Sequence, residues 1–172
     1  MKTEPDRAFD LAKLALKRND EAIRFSDTKA TIMLSLASIA FTLLLNGSGN
    51  MKQLLDVSYT LPHILAKISL ILIIGGLLTV IGSTIYVIIP RMTSSKKPGA
   101  LFFGDYLNRS EKESEDLISN LTAEESISQI ISEIHITSEI ASQKFRGNQI
   151  ATYGLISVMV GLFLIFLTFL IF

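Results

Sequence analysis

Apolar residues in this chain gather into three uncharged stretches, roughly Thr31 to Asn46, Ile68 to Ile89 and Ile150 to Phe172, with every charged side chain outside them. A membrane-spanning helix needs about 20 consecutive apolar residues, which the second and third stretches supply alone. The first is shorter and needs Ala30, Gly47 and the aliphatic stem of Lys29 to reach both faces of a bilayer. The pattern predicts an all-α membrane protein with three transmembrane helices and a cytosolic helical bundle formed by the N-terminal helix and the 91–149 loop. The expected boundaries are a cytosolic helix over 1–29, spans over 30–46, 68–90 and 150–172, a short external loop over 47–67, and a cytosolic helical region over 91–149. A long charged, helix-patterned segment precedes the first span and no small-residue cleavage site follows a short core, so that span is expected to stay in the mature protein.

The polar segments carry their own periodicity. Asp6 to Lys29 is rich in Ala, Leu, Lys, Arg and Glu, with Pro5 where a first helical turn tolerates it, and reads as helix. Two apolar rows lie along it: Phe9, Ala12, Leu16 and Ile23, and Leu11, Leu14, Ala22 and Phe25. Both rows cannot face water, so the helix is expected to pack on others. No Pro or Gly interrupts Phe25-Ser26-Asp27-Thr28-Lys29-Ala30, and a helix continuing through the first span would be a rod of roughly 60 Å. Asn46-Gly47-Ser48-Gly49-Asn50 is a turn cluster, and Pro90-Arg91 closes the second span. Glu111 to Asn120 is acidic and helix-like. Thr122-Ala123-Glu124-Glu125 fits a capping box opening a further helix, whose seam is Ile127, Ile130, Ile131, Ile134, Ala141 and Phe145. That helix is expected to continue across Gly147 into the last span.

Charge then orients the chain. Of the 16 Lys and Arg residues, seven precede the first span, seven lie between Arg91 and Arg146, and only Lys52 and Lys67 fall between the first two spans. By the positive-inside rule the N-terminus and second loop are cytoplasmic and the C-terminus external. Equal numbers of acidic and basic residues give no reason to expect a nucleic-acid partner. Cys is absent, which excludes disulfides, thiolate metal ligands and a thiol nucleophile. His63 and His135 have no partner at ligand spacing and read as solvated side chains, so no metal site is expected. No Gly-rich phosphate loop and no nucleophile–base pattern appears. No catalytic residue and no cofactor is expected, and the chain reads as a non-enzyme.

Two constellations remain. Thr31, Ser35, Ser38, Thr42 and Asn46 recur at helical spacing and form a polar stripe on one face of the first span. It reads as a helix-packing face whose hydroxyls bond across an interface or back to the preceding turn, or else as the lining of a water-filled path. Gly75, Thr79 and Ser83, and Gly154, Ser157 and Gly161, are small-residue stripes suited to close helix packing. Around the cytosolic membrane edge the spans bring Arg24, Asp27, Lys29, Arg91, Lys96, Lys97, Lys144 and Arg146 to similar depth. Charges there need pairing, hydration or a ligand. They can serve as headgroup contacts plus a salt bridge from Asp27 to Arg91 or Lys144, or as cations that, with Phe102 or Phe103 as a stacking surface, bind a small phosphorylated molecule.

The order of Arg18-Asn19-Asp20, Phe25-Ser26-Asp27-Thr28-Lys29-Ala30, Pro90-Arg91, Leu101-Phe102-Phe103-Gly104 and Lys144-Phe145 against the three spans resembles the Pycsar transmembrane effector family, PycTM, from about Ala8 to Phe172. The resemblance implies an antiphage effector of the bacterial inner membrane. A partner cyclase makes cyclic CMP or cyclic UMP on infection, and the effector then impairs the membrane and stops the infected cell. The family pattern falls on Asp27, Lys29, Arg91, Phe103 and Lys144, and Arg24, Phe102 and Arg146 complete the candidate ligand or switch set.

A cyclic nucleotide brings one negative charge and an aromatic base, which the cations and the Phe pair can match. One copy with three spans lacks a charged pore lining, so homo-oligomers are expected, with the Ile127–Phe145 seam and the polar stripe as candidate interfaces, the seam serving equally well for packing within one chain. The alternative function is a helical membrane scaffold that recruits a cytosolic partner through its Glu-rich helix, with no ligand and no leakage.

Overall fold

The computed structural model describes residues 4–47, 61–89 and 109–171, and these are helical almost throughout. Four helices follow in order among the described residues: α1 (Glu4–Asn46), α2 (Leu61–Ile88), α3 (Glu111–Ser119) and α4 (Ala123–Ile171). Three of them, α1, α2 and α4, contain a segment long and apolar enough to cross a membrane. The chain is an all-α protein with three candidate spans.

Each helix end has a local cause. α1 runs 43 residues without a Pro or Gly after its first turn and stops at Gly47, whose N–H closes the last turn on the Leu43 carbonyl at 3.1 Å. α2 opens at Leu61, about two turns before the uncharged stretch, because Pro62 fits a first helical turn where its missing N–H is no loss. It ends just short of Pro90, which disfavours helical backbone in the residue before it. α3 and α4 both begin in capping boxes. Glu113 Oε2 accepts from the Ser110 N–H at 2.8 Å while Ser110 Oγ accepts from the Glu113 N–H at 3.3 Å. Thr122 and Glu125 repeat the exchange at 3.0 and 3.2 Å. Hydrogen bonding from Ser110, first from its backbone and then its hydroxyl, holds the Glu113 carboxyl below its ordinary value, and Thr122 does the same for Glu125.

Two compact units divide the chain, Met1–Phe25 with Pro90–Gln143, and Ser26–Ile89 with Lys144–Phe172. Within the first, α1 meets α4 through Asn19, whose Nδ2 donates to the Ile134 carbonyl and Thr137 Oγ1 at 3.0 Å and to Ser138 Oγ at 2.8 Å. The row Phe9, Ala12, Leu16 and Ile23 is half-buried, whereas Leu11, Leu14 and Phe25 of the second row are exposed. On α4 the covered positions here are Ile130, Thr137 and Ala141. Ile131 and Phe145, two members of the expected seam, are exposed. The seam thus holds at Ile130 and Ala141 and takes in Thr137, and with a Thr and an Ala there the α1 and α4 backbones come close enough for Asn19 to reach a carbonyl.

The second unit is built on the same preference. Its core joins Met33, Ala37 and Ala40 of α1 to Ile73, Leu77 and Val80 of α2 and to Ala151 and Val158 of α4. α2 and α4 approach through glycine: a Cβ at Gly76 would stand 2.6 Å from the Gly154 carbonyl oxygen, and one at Gly161 2.8 Å from that of Ser69. Ser157 Oγ bridges the same pair by donating to the Leu72 carbonyl at 3.0 Å. Where the driving force of water is absent, close van der Waals contact and hydrogen bonds hold helices together. The α4 stripe Gly154, Ser157 and Gly161 is thus a packing face. On α2 that face is Ser69, Ile73, Gly76 and Val80; of the expected stripe Thr79 borders it, its Cβ 3.1 Å from a Cβ built at Gly154, while nothing lies within 4 Å of a Cβ built at Gly75.

Candidate functional site

α1 buries Ser26, Ala30, Met33, Ala37 and Ala40, a stripe of small residues broken by one Met, which turns the next residue after Ser26, Asp27, toward the edge of the bundle. α4 buries Lys144, Gly147, Asn148 and Ala151 on the facing side. The two stripes bring a carboxylate and an ammonium into contact.

The Lys144 ammonium donates to Asp27 Oδ1 and, at 2.9 Å, to the carbonyl oxygen of Val87. Val87 lies in the last turn of α2, where carbonyls have no partner further along the helix and carry the negative end of the helix dipole. One cation therefore ties three helices, pairing with a charge on α1 and capping α2 from α4. The Lys144 side chain is 7% exposed and that of Asp27 42%. One turn on, Asn148 Nδ2 donates to the Ser26 carbonyl at 2.9 Å and to Ser26 Oγ at 2.6 Å. Asn148 Oδ1 is buried and has no hydrogen-bond partner. Gly147 sits between, and any Cβ there would run into a methyl of Val87. The arrangement is a polar clasp at one end of an apolar helix bundle.

Of the sequence candidates, Asp27 and Lys144 are brought together. Lys29 and Arg146, in the same unit, are exposed, and Lys29 lies two residues beyond Asp27, which turns it to another side of α1. Arg24 is exposed in the first unit. Arg91, Phe102 and Phe103 lie outside the described residues. Ser26, the Val87 carbonyl, Gly147 and Asn148 were not singled out from sequence. Asn148 was within reach, standing four residues after Lys144 on the same helical face. A backbone carbonyl leaves no mark in a sequence.

The polar stripe of α1 is exposed from Thr31 to Asn46, turned away from the buried alanines. Its hydroxyls bond back along their own helix: Thr31 to the Asp27 carbonyl at 3.0 Å, Ser35 to Thr31 at 3.0 Å, Ser38 to Leu34 and Thr42 to Ser38 at 2.9 Å. Of the two packing modes considered for these hydroxyls, the local one is found.

These features define a multi-pass helical membrane protein with charged and carboxamide side chains clasped at one end of its spans. No curated protein and no solved structure matches the chain. The family comparison is specific: the model for the Pycsar effector protein domain, PycTM, matches residues 11–172. The chain belongs to that family, and is thereby a Pycsar effector in antiphage defence. The family is not a known catalytic one.

Proposed function

We infer that the chain binds a cyclic pyrimidine nucleotide, cyclic CMP or cyclic UMP, at its cytosolic face and responds by impairing the bacterial inner membrane, so that an infected cell stops growing or dies. The observation that carries this reading is the clasp of Asp27, Lys144 and the Val87 carbonyl, on helices α1 and α4 that each run unbroken from a charged stretch into an apolar one. A charge pair at such a boundary links events in water to the packing of spans. The exposed cations Arg24, Lys29 and Arg146 are candidates for drawing in the phosphate, with Arg91 and the Phe102–Phe103 pair as further candidates for phosphate and base. In this reading the N-terminus lies in the cytoplasm and the C-terminus outside, a partner cyclase supplies the nucleotide, and several copies assemble in the damaged membrane through the open faces of α1. Ligand can drive this only by binding the damaging state more tightly than the resting one.

Titrating the purified protein with cyclic CMP, cyclic UMP and the purine cyclic nucleotides tests the reading. A saturating pyrimidine ligand at about 100 times its Kd stabilises the binding-competent form by about 2.7 kcal/mol, which thermal unfolding detects. No stabilisation by either pyrimidine, or equal stabilisation by the purines, refutes it. Dye-loaded vesicles carrying the protein leak on addition of the ligand if this reading holds. A scaffold protein leaves them sealed.

A further inference from the structure

Lys144 is a buried cation whose ammonium is shared between two other helices, Asp27 on α1 and the Val87 carbonyl on α2. Tying three spans together does not require charge, because well-packed apolar residues of similar volume usually do as well or better than a buried ion pair. An ion pair in that position has one property an apolar trio lacks: it can be opened by a change in the water beside it. We propose that Asp27, Lys144 and the Val87 carbonyl form an autoinhibitory latch, holding the three spans in a resting packing that must open before the membrane is impaired. This rests on the effector reading above and assigns that effector its restraint.

Three further observations support a latch over a plain brace. The pair is asymmetric: Lys144 is sealed, whereas Asp27 has two-fifths of its side chain in contact with solvent. Water or a competing cation can therefore take over the Asp27 carboxylate, and Lys144 keeps the Val87 carbonyl when it does. α1 is the helix released, and the bond between α2 and α4 survives. Second, the adjoining contact is imperfect in the same packing. Asn148 holds Ser26 through Nδ2 and leaves Oδ1 buried without a partner. An unmet buried acceptor is penalised, and separation of α1 from α4 lifts that penalty. Third, the rest of the α1 contact is made by alanines and one methionine, with only Leu44 larger and half-buried at the far end, whereas α2 and α4 interlock through Gly76, Gly154 and Gly161. Small flat side chains can part without unthreading. The weak seam of the unit is the one the latch closes.

The test uses the full chain in lipid vesicles. Asp27→Asn and Lys144→Met, compared at equal amounts of folded protein, are expected to raise dye leakage without nucleotide roughly tenfold, within the range typical of coupled equilibria, while Asp27→Glu stays sealed. Folded variants as quiet as the parent overturn the latch. A second arm does not depend on those variants folding. The chain has no native Cys, so Ser26→Cys with Asn148→Cys, joined by a short methanethiosulfonate linker, ties α1 to α4 selectively. The linked protein is expected to stay sealed when cyclic CMP or cyclic UMP is added and to leak once the linker is reduced. Leakage from the linked form equal to the parent's refutes the proposal. If the parent ignores both nucleotides while Asp27→Asn leaks, the latch stands and the ligand assignment falls; a responsive parent with quiet variants gives the reverse.

Discussion

Gly75 and Gly76 are neighbours on α2 and should respond in opposite directions to the same substitution. Ala at 76 places a Cβ 2.6 Å from the Gly154 carbonyl oxygen and 2.8 Å from Val158 Cγ2, and ordinary contact begins at 3.4 Å. The first of these atoms is backbone and cannot swing aside, so α2 and α4 must part by 0.8 Å, the difference between 2.6 and 3.4 Å. A parting of that size stretches the Ser157–Leu72 hydrogen bond from 3.0 Å to beyond bonding distance and opens a gap across the core contacts. Overpacking of this kind costs about 1–3 kcal/mol, the lost hydrogen bond adds about 1 kcal/mol, and the better helix propensity of Ala returns about 1 kcal/mol. Gly76→Ala is thus expected to lose about 1–3 kcal/mol net. At Gly75 the Cβ enters open space, so only the propensity gain applies and Gly75→Ala is expected to be neutral or up to about 1 kcal/mol stabilising. Reversible unfolding in mixed micelles, followed by helical circular dichroism, measures both. Equal stability of the two variants, or a less stable Gly75→Ala, refutes the reasoning about which face of α2 meets α4.

In the first unit, Asn19→Ala removes three hydrogen bonds to α4. Thr137 Oγ1 keeps its own bond to the Glu133 carbonyl, so the expected loss is about 1–2 kcal/mol and not three full bonds, read as faster amide exchange around Ile134. The two capping boxes predict a pH dependence with a definite sign. Glu113 and Glu125 have carboxyls lowered from 4.5 by their bonds to Ser110 and Thr122, so protons bind the unfolded helix ends more tightly than the folded ones. The caps are then at full strength above 4.5 and weaken as pH falls through the lowered folded values. Amide exchange in the first turns of α3 and α4 should rise over that acid range after correction for intrinsic rates, and Glu113→Gln with Glu125→Gln should flatten the response.

The number and type of the helices followed from local chemistry. Long uncharged runs, helix-forming composition and the Thr122–Glu125 box act over one or a few turns, so they can be read directly from the chain. The Ser110–Glu113 box carries the same Ser-x-x-Glu signal and was equally readable. The pairing of Asp27 with Lys144 was one of two partners open to Asp27, because both lie at the depth where charge gives way to apolar residues.

Helix faces were harder to assign. On α4 the expected seam holds at Ile130 and Ala141, which are buried, whereas its members Ile131 and Phe145 are exposed and Thr137, outside the seam, is covered. In the spans, the alanines of α1 lie inside and its hydroxyl stripe outside, and Gly76 takes the place expected of Gly75 on α2. Apolar periodicity ranks faces by affinity for a nonaqueous interior, and in a membrane lipid satisfies a Leu or Ile as well as a neighbouring helix does. What selects the buried face there is how closely two backbones can approach, a property of pairs of helices in space. For the same reason the chain alone specified that charges would meet near the ends of the spans, whereas the choice of Lys144, its second bond to the Val87 carbonyl and the unpaired Asn148 oxygen depend on helices separated by 57 to 122 residues coming into contact.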